Sequence, residues 1–269
     1  MTQQPNLPQA RARIEGMKRQ FEQKRQIEES LSGIKKKIGV YSGKGGVGKT
    51  TVAVNIATTL AHQGQKVGVL DVDIDCPNIV RALNISDQPL IDENKKMIPP
   101  ERFGVKVMSM AFFQENQDEA IIWRGPMIHN AINQMLQSTD WGDLDYLIID
   151  LPPGTSDAPL TVMQVLTMDG FVVVTTPQEL AKIDAKRSIN MVKKLQISVL
   201  GVVENMSGEF FGTGAGLEIA SELEIDFLGK ISMRSEYKDM SRPTTLISEN
   251  VLSEYRAISE KMIEAVGKQ

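Results

Sequence analysis

The sequence predicts an α/β fold, a doubly wound and mostly parallel sheet with helices on both faces. Short apolar, β-rich runs alternate with helical segments from residue 37 onward, the pattern of strands covered on both sides. The stretch SGKGGVGKTT (42–51) follows the first such run and opens a helical segment, so a glycine-rich turn joins strand to helix. A composition of 41% hydrophobic and 24% charged residues over 269 positions suffices for one sizeable core.

Taken in order, residues 1–8 are polar, contain Pro5 and Pro8, and are expected to form a disordered tip. From residue 9 to 37, Ile14, Met17, Phe21, Ile27, Leu31 and Ile34 recur at three- and four-residue spacings, a helical stripe. Its basic residues (Arg11, Arg13, Lys18, Arg19, Lys24, Arg25 and Lys35 to Lys37) outnumber Glu15, Glu22, Glu28 and Glu29. The segment 1–36 therefore reads as a polar tip and basic amphipathic helix packed on its own domain or on a partner protomer, the alternative being an arm for an acidic partner or membrane surface. A single domain is expected over 37–269. Its strands are IGVYS (38–42), VGVLD (67–71), VKVMSM (105–110), YLIID (146–150), FVVVTT (171–176), VLGVVEN (199–205) and FLGKI (227–231). Helices are expected near 49–63, 125–138, 157–168, 179–195, 214–223 and 251–266, with no internal repeat.

Bulk properties exclude some classes of function. A net charge of -4 and a pI near 5.4 leave no basic footprint, so a stable nucleic-acid partner is not expected. No apolar run approaches the roughly 18 residues of a membrane span, and the N-terminus lacks the apolar stretch of a signal peptide. The expectation is a cytoplasmic protein without membrane attachment. Its single cysteine, Cys76, excludes an intramolecular disulfide.

The pattern G-x-x-x-x-G-K-[ST] spans Gly43 to Thr50. Loops of this kind hold nucleotide phosphates: the amides around Gly45, Gly46, Val47, Gly48 and Thr51 face phosphate oxygens at a helix N-terminus, and Lys49 reaches the outer phosphates. A triphosphate brings magnesium, whose oxygen ligands are expected from Thr50 and from Asp150 at the end of YLIID. Gly154, in LPPGTSD, lies where a backbone N–H would meet the γ-phosphate, which makes this a switch segment. LDVDIDC places Asp71, Asp73 and Asp75 on one side of a strand end if the alternation continues. Asp73 is the candidate for positioning the attacking water, Asp71 a candidate supporter of the metal shell, and Asp75 a turn residue. Trp123 and Trp141 are expected to pack the helix between them on the sheet, Arg124 is a candidate nucleotide or dimer contact, and His62 and His129 read as structural or surface residues.

The strings YSGKGGVGKTTVAVNIA, LDVDIDCP, IIWRGPM, WGDLDYLIIDLPPGTSD, DGFVVVTTPQELAKIDA and GVVENMSG together resemble the deviant-loop ATPases marked by K-G-G-x-G-K-[ST]. That group includes MinD, ParA and the nitrogenase iron protein, and within it the chain resembles the Mrp family of iron-sulfur cluster carriers from Ile38 to Glu264. The resemblance implies a P-loop NTPase fold and a homodimer that binds and slowly hydrolyses ATP with magnesium. Lys44 would reach across the dimer to the other protomer's nucleotide, Asp73 would position water, Asp150 would hold metal, and Asn205 would read the adenine edge, favouring ATP over GTP. An apoprotein target or other protein partner is implied as well. One departure bears on cargo. After ENMSG such carriers have a Cys-x-x-Cys pair, and a dimer pools four thiolates around a bridging cluster. Here the text is ENMSGEFFGTGAGLEIASE, and two copies of Cys76 would offer only two thiolates, so an iron-sulfur cluster on the usual ligands is not the expectation. Ser232 stands where relatives usually carry proline. The alternative reading is a positioning or scaffold ATPase of the MinD or ParA kind acting on a membrane, DNA or protein partner. Against it, the balanced charges of VLSEYRAISEKMIEAVGKQ make the C-terminal stretch read as a docked helix.

Overall fold

The computed structural model describes residues 7–114 and 125–268. Its long strands are β1 (Ile34–Tyr41), β2 (Val67–Asp71), β6 (Val105–Ser109), β7 (Leu144–Asp150), β8 (Gly170–Thr175), β9 (Val199–Ser207) and β10 (Phe227–Ser232). Three short ones intervene, β3 (Leu90–Ile91) and β4 (Met97–Ile98) as a separate hairpin and β5 (Glu101–Arg102). The main sheet has the order β10-β9-β8-β1-β7-β2-β6-β5, parallel except for the edge pairing of β5 with β6. Every residue of β2 and β8 is buried, which is why these strands read as unbroken apolar runs.

The helices are α1 (Leu7–Ser30), α2 (Lys49–His62), α3 (Ile79–Ala82), α4 (Gly125–Ser138), α5 (Asp157–Val165), α6 (Glu179–Lys194), α7 (Ala215–Glu222) and α8 (Glu249–Gly267). Alternation along β8 sends Val172 and Val174 to one face and Phe171 and Val173 to the other. On the first face they meet α2 through Val52, Ile56 and Leu60, and α8 through Tyr255, Ile258 and Met262. On the second lie α4 and α5, with Ile132, Met135 and Val162, and beside them α6 and α7, with Ile189 and Ile219. The C-terminal stretch is thus a docked helix, as its charges and stripe imply. Among the described residues no helix is long and apolar enough to cross a membrane.

A buried polar seam ties α2 to the chain just before α8. Thr245 donates its backbone N–H to Asn55 Oδ1 at 2.9 Å, and its hydroxyl lies 2.9 Å from that of Thr58. Asn55 also donates to the Thr51 carbonyl one turn back, at 2.9 Å.

Several boundaries differ from the sequence reading, most of all near the N-terminus; elsewhere the shifts are one to three residues, the largest at α5, which ends at Val165 rather than 168. Helix α1 begins at Leu7, because Pro8 in a first turn forfeits no helical hydrogen bond; residues 1–6 of the expected tip lie outside the described residues. It ends at Ser30 rather than continuing through the lysines, and β1 starts at Ile34. Lys35 and Lys36 reach out of the sheet to Asp145 and Asp169, at 2.7 and 3.5 Å, so a charged run sits on a strand without burying its amines. Of the helical stripe, Ile27 and Leu31 are buried against α4 while Phe21 is 75% exposed. The pieces α3, β3, β4 and β5 went unseen because two to four residues are too few to show a period. Trp141 is buried on β2, where a side chain at Gly68 would meet its ring at 2.8 Å; Trp123 and Arg124 lie outside the described residues.

Candidate nucleotide-binding site

β1 runs through the middle of the sheet, and its C-terminal end delivers residues 42–48 to the mouth of a cleft of roughly 410 Å³. The loop turns with Gly46 and Gly48 in the left-handed region, at φ 80° and 82°, where a side chain would be strained. Gly43 is required for another reason: a Cβ there would lie 2.2 Å from the Asp184 carbonyl of α6. Around Gly45 and Gly46 there is open space, so the amides above α2 are accessible to a ligand. Lys44, Lys49, Thr50 and Thr51 line the cleft from the loop, Asp73, Asp75 and Cys76 from the segment after β2, and Pro152, Pro153 and Ser156 from the segment after β7.

On the floor, Lys49 Nζ donates to Asp150 Oδ1 at 2.7 Å and to Asp73 Oδ2 at 3.3 Å, and Thr50 Oγ1 donates to Asp150 Oδ2 at 2.6 Å. These four residues, chosen from three separate segments of sequence, are therefore brought together. Burial presses the Lys49 ammonium down, but Asp150 and Asp73 outweigh it and hold its pKa above the ordinary lysine value. Burial pushes both Asp150 and Asp73 up, against the pull of Lys49.

Asp71 stands apart. It is fully buried, accepts from Ser109 Oγ at 2.9 Å and from the Ile79 and Asp73 amides, and is pushed up to about 8 by burial and by Asp150. The expected one-sided row of Asp71, Asp73 and Asp75 does not form, because β2 ends at Asp71 and strand alternation ends with it. Asp73 instead turns to Lys49, and Asp75 is exposed at the cleft.

Gly154, at φ 85°, donates its N–H to the Ser42 carbonyl at 2.9 Å, and its own carbonyl accepts from the Tyr41 hydroxyl. Asn205 is buried beneath the loop and donates to the Val47 carbonyl at 2.8 Å; a Cβ at Gly48 would meet its amide nitrogen at 2.3 Å. Lys44 is half-buried, and among the described residues no carboxylate lies within 4.0 Å of its amine. His62 is exposed and His129 half-buried, both away from the cleft.

Beside Asn205 the sequence reading missed Glu204, although a charge inside the apolar run VLGVVEN was its signal. The carboxylate is fully buried and accepts from Ser207 Oγ at 2.6 Å, Thr213 Oγ1 at 3.1 Å, and the amides of Gly214 and Gly216 at 3.0 and 2.7 Å. It thereby fixes the turn 208–214, closed by paired Gly208 and Gly212 backbone bonds, with Phe210 88% exposed at the tip. Burial pushes Glu204 up, yet those donors prevail and hold it below the ordinary 4.5. Because the folded value is the lower one, its stabilisation is complete above pH 4.5 and is lost as pH falls through the folded value. Glu204→Gln is expected to cost about 2–3 kcal/mol at pH 7, since one amide oxygen cannot serve all four donors. Urea unfolding of both proteins checks this, with the gap closing in acid; equal midpoints at pH 7 would remove Glu204 from this role.

Residues 33–267 match the family described as NUBPL iron-transfer P-loop NTPase, of the ParA group. The iron-sulfur cluster carrier protein of Methanocaldococcus jannaschii is 41% identical over 260 residues, 91% of this chain and 90% of that protein. The protein of the same name in Escherichia coli K12 is 41% identical over 89% of this chain and 68% of its own length. A nucleotide-binding protein from Archaeoglobus fulgidus, solved in complex with ADP, superposes with a TM-score of 0.72 at 37% identity, covering 82% of this chain and 91% of that one. The cell-division ATPase MinD of Pyrococcus furiosus shares the fold, at TM-score 0.67 and 19% identity over 86% of this chain and 99% of that one. With its strand-loop-helix cleft and a match across nearly its whole length, the chain belongs to the NUBPL iron-transfer P-loop NTPases of the ParA group.

Proposed function

We propose that the protein is a homodimeric switch that binds ATP with magnesium and hydrolyses it slowly to ADP and phosphate, acting on a protein partner in the cytoplasm. The observation behind this reading is the cleft floor, where Lys49, Thr50, Asp73 and Asp150 lie within bonding distance beneath the open amides of Gly45 and Gly46. On nucleotide entry the Lys49 ammonium exchanges a carboxylate for phosphate oxygens, so its charge stays compensated throughout. Thr50 Oγ1 and Asp150 Oδ2, 2.6 Å apart, form an oxygen-only donor set of the kind magnesium takes, and these are the residues that would hold it. When bound, the ion neutralises charge on the phosphates. Asp73 lines the cleft and positions the attacking water; Asn205, beneath the loop, reads the adenine edge. Lys44 serves the γ-phosphate of the second protomer, which is why it lacks a carboxylate partner among the described residues of its own.

An iron-sulfur cluster would be cargo, and the residues of this chain do not fit a cluster held by four thiolates of a dimer. Each protomer carries one cysteine, exposed Cys76 at the cleft, while the turn 208–214 carries Phe210 and Phe211. The proposed output is thus a change in a partner, driven by nucleotide. In a phosphate-release assay with light scattering, Mg-ATP is expected to be turned over and to double the particle mass. Anaerobic incubation with iron and sulfide is expected to leave no stable cluster absorption. Failure to bind or turn over ATP would overturn the ATPase reading, and a stable stoichiometric chromophore would overturn the cargo reading.

A further inference from the structure

Gly154 is held at both of its backbone polar atoms by the root of the phosphate loop. Its N–H goes to the Ser42 carbonyl at 2.9 Å, and its carbonyl takes the hydroxyl of Tyr41, the last residue of β1. The Tyr41 ring is fully buried, with Phe171 edge-on at a centroid distance of 6.2 Å, so the hydroxyl is carried on a rigid arm. Burial pushes that hydroxyl up to about 12, with Ser188 beside it pulling the other way, so it remains a donor across the working pH range. The left-handed φ of 85° at Gly154 is open to glycine without strain, so its two peptide planes can turn at little steric cost once those bonds are released. While its N–H is engaged with Ser42, that donor is withheld from a ligand in the cleft that Pro153 and Ser156 line.

We propose that Tyr41 is a positioning residue, whose hydroxyl latches the segment 151–157 in the nucleotide-free arrangement and sets how strongly the protein prefers a nucleoside triphosphate to a diphosphate. The inference rests on the ATP reading of the cleft. A third phosphate draws the Gly154 N–H away from Ser42; moving the residue toward the cleft to meet it also carries the Gly154 carbonyl, on the next peptide, off the Tyr41 hydroxyl. A diphosphate makes no such demand. The latch therefore opposes triphosphate binding alone, and its strength sets the preference.

Tyr41→Phe removes the hydroxyl and keeps the ring. In nucleotide-free protein, amide exchange of the peptide containing Gly154 is expected to rise about fivefold, as expected for loss of one hydrogen bond to a carbonyl. By calorimetry, affinity for a non-hydrolysable ATP analogue is expected to rise by the same factor, about fivefold, with affinity for ADP unchanged. Ser188→Ala, which leaves the Tyr41 to Gly154 bond in place, is expected to change neither quantity. Unchanged exchange and an unchanged ratio of the two affinities in folded Tyr41→Phe would overturn the latch. So would a parallel fall in both affinities, or an equal rise in Ser188→Ala, since either would mean packing rather than a hydrogen bond. Failure of the parent protein to bind the analogue would count against the ATP reading instead, and the exchange comparison, made without nucleotide, would still decide whether Tyr41 holds the segment.

Discussion

Lys44→Ala is expected to bind Mg-ATP nearly as well as the parent protein and to lose about a thousandfold in turnover, the scale of removing a cation supplied in trans to a phosphoryl transition state. The two effects separate because, among the described residues, the Lys44 side chain takes no part in the network on the cleft floor, which Lys49, Asp73 and Asp150 form among themselves. Mixing experiments give a sharper form of the test. An inactive Asp73→Ala protomer retains its own Lys44, so adding it to Lys44→Ala protein is expected to restore turnover to the mixed dimer. Normal turnover in Lys44→Ala alone would show that the second lysine of the loop has no role across the dimer, and absence of rescue would place its action within one protomer.

Lys49→Ala is expected to abolish measurable Mg-ATP binding and also to destabilise the empty protein. The stability loss follows from the carboxylates. Asp150 and Asp71 are fully buried and Asp73 nearly so, and Lys49 is the cation bonded to two of the three. Deleting one partner of a buried ion pair costs about 3–5 kcal/mol because the other charge is left without compensation. For a chain of this length that corresponds to a fall in melting temperature on the order of 10 °C. Differential scanning calorimetry without nucleotide checks this, and an unchanged melting temperature would mean that the carboxylates do not depend on Lys49. Asp150→Asn distinguishes stability from binding: it removes one of three buried carboxylates and leaves the Lys49 ammonium compensated by Asp73 at 3.3 Å, so it is expected to melt close to the parent protein while binding Mg-ATP poorly.

What the sequence made legible follows from what each pattern encodes. Fully covered strands such as VGVLD and FVVVTT are apolar runs with sharp ends, and those ends match β2 and β8 to within a residue. The loop was legible because its glycines and Lys49 are contiguous and their spacing carries the chemistry. Asp150 was legible as the end of such a run. The one-sided row of Asp71, Asp73 and Asp75 was not legible as broken because β2 ends at Asp71, whose carboxylate is taken by Ser109 and the Ile79 amide, and no local pattern marks where strand alternation stops. Tyr41 was hidden for a different reason: its partner lies 113 residues away, and no local pattern marks a hydroxyl that meets a backbone carbonyl across the sheet. The lysines of β1 misled because polar side chains at the foot of a parallel strand can reach solvent and Asp145 without leaving the sheet.

The polar seam between Asn55, Thr58 and Thr245 divides the molecule mechanically. Sliding α2 along the chain at 244–245 would strip partners from buried amide and hydroxyl groups, at about 1–3 kcal/mol for each group left unsatisfied. α2, the turn at Thr245 and α8 behind it thus behave as a stator to which the base of the phosphate loop is bolted. Movement driven by nucleotide is therefore expected in the opposite wall, in the segments after β2 and β7 that line the cleft. A fluorophore pair between α8 and residue 156 would see that stroke, whereas a pair between α8 and α2 would stay silent.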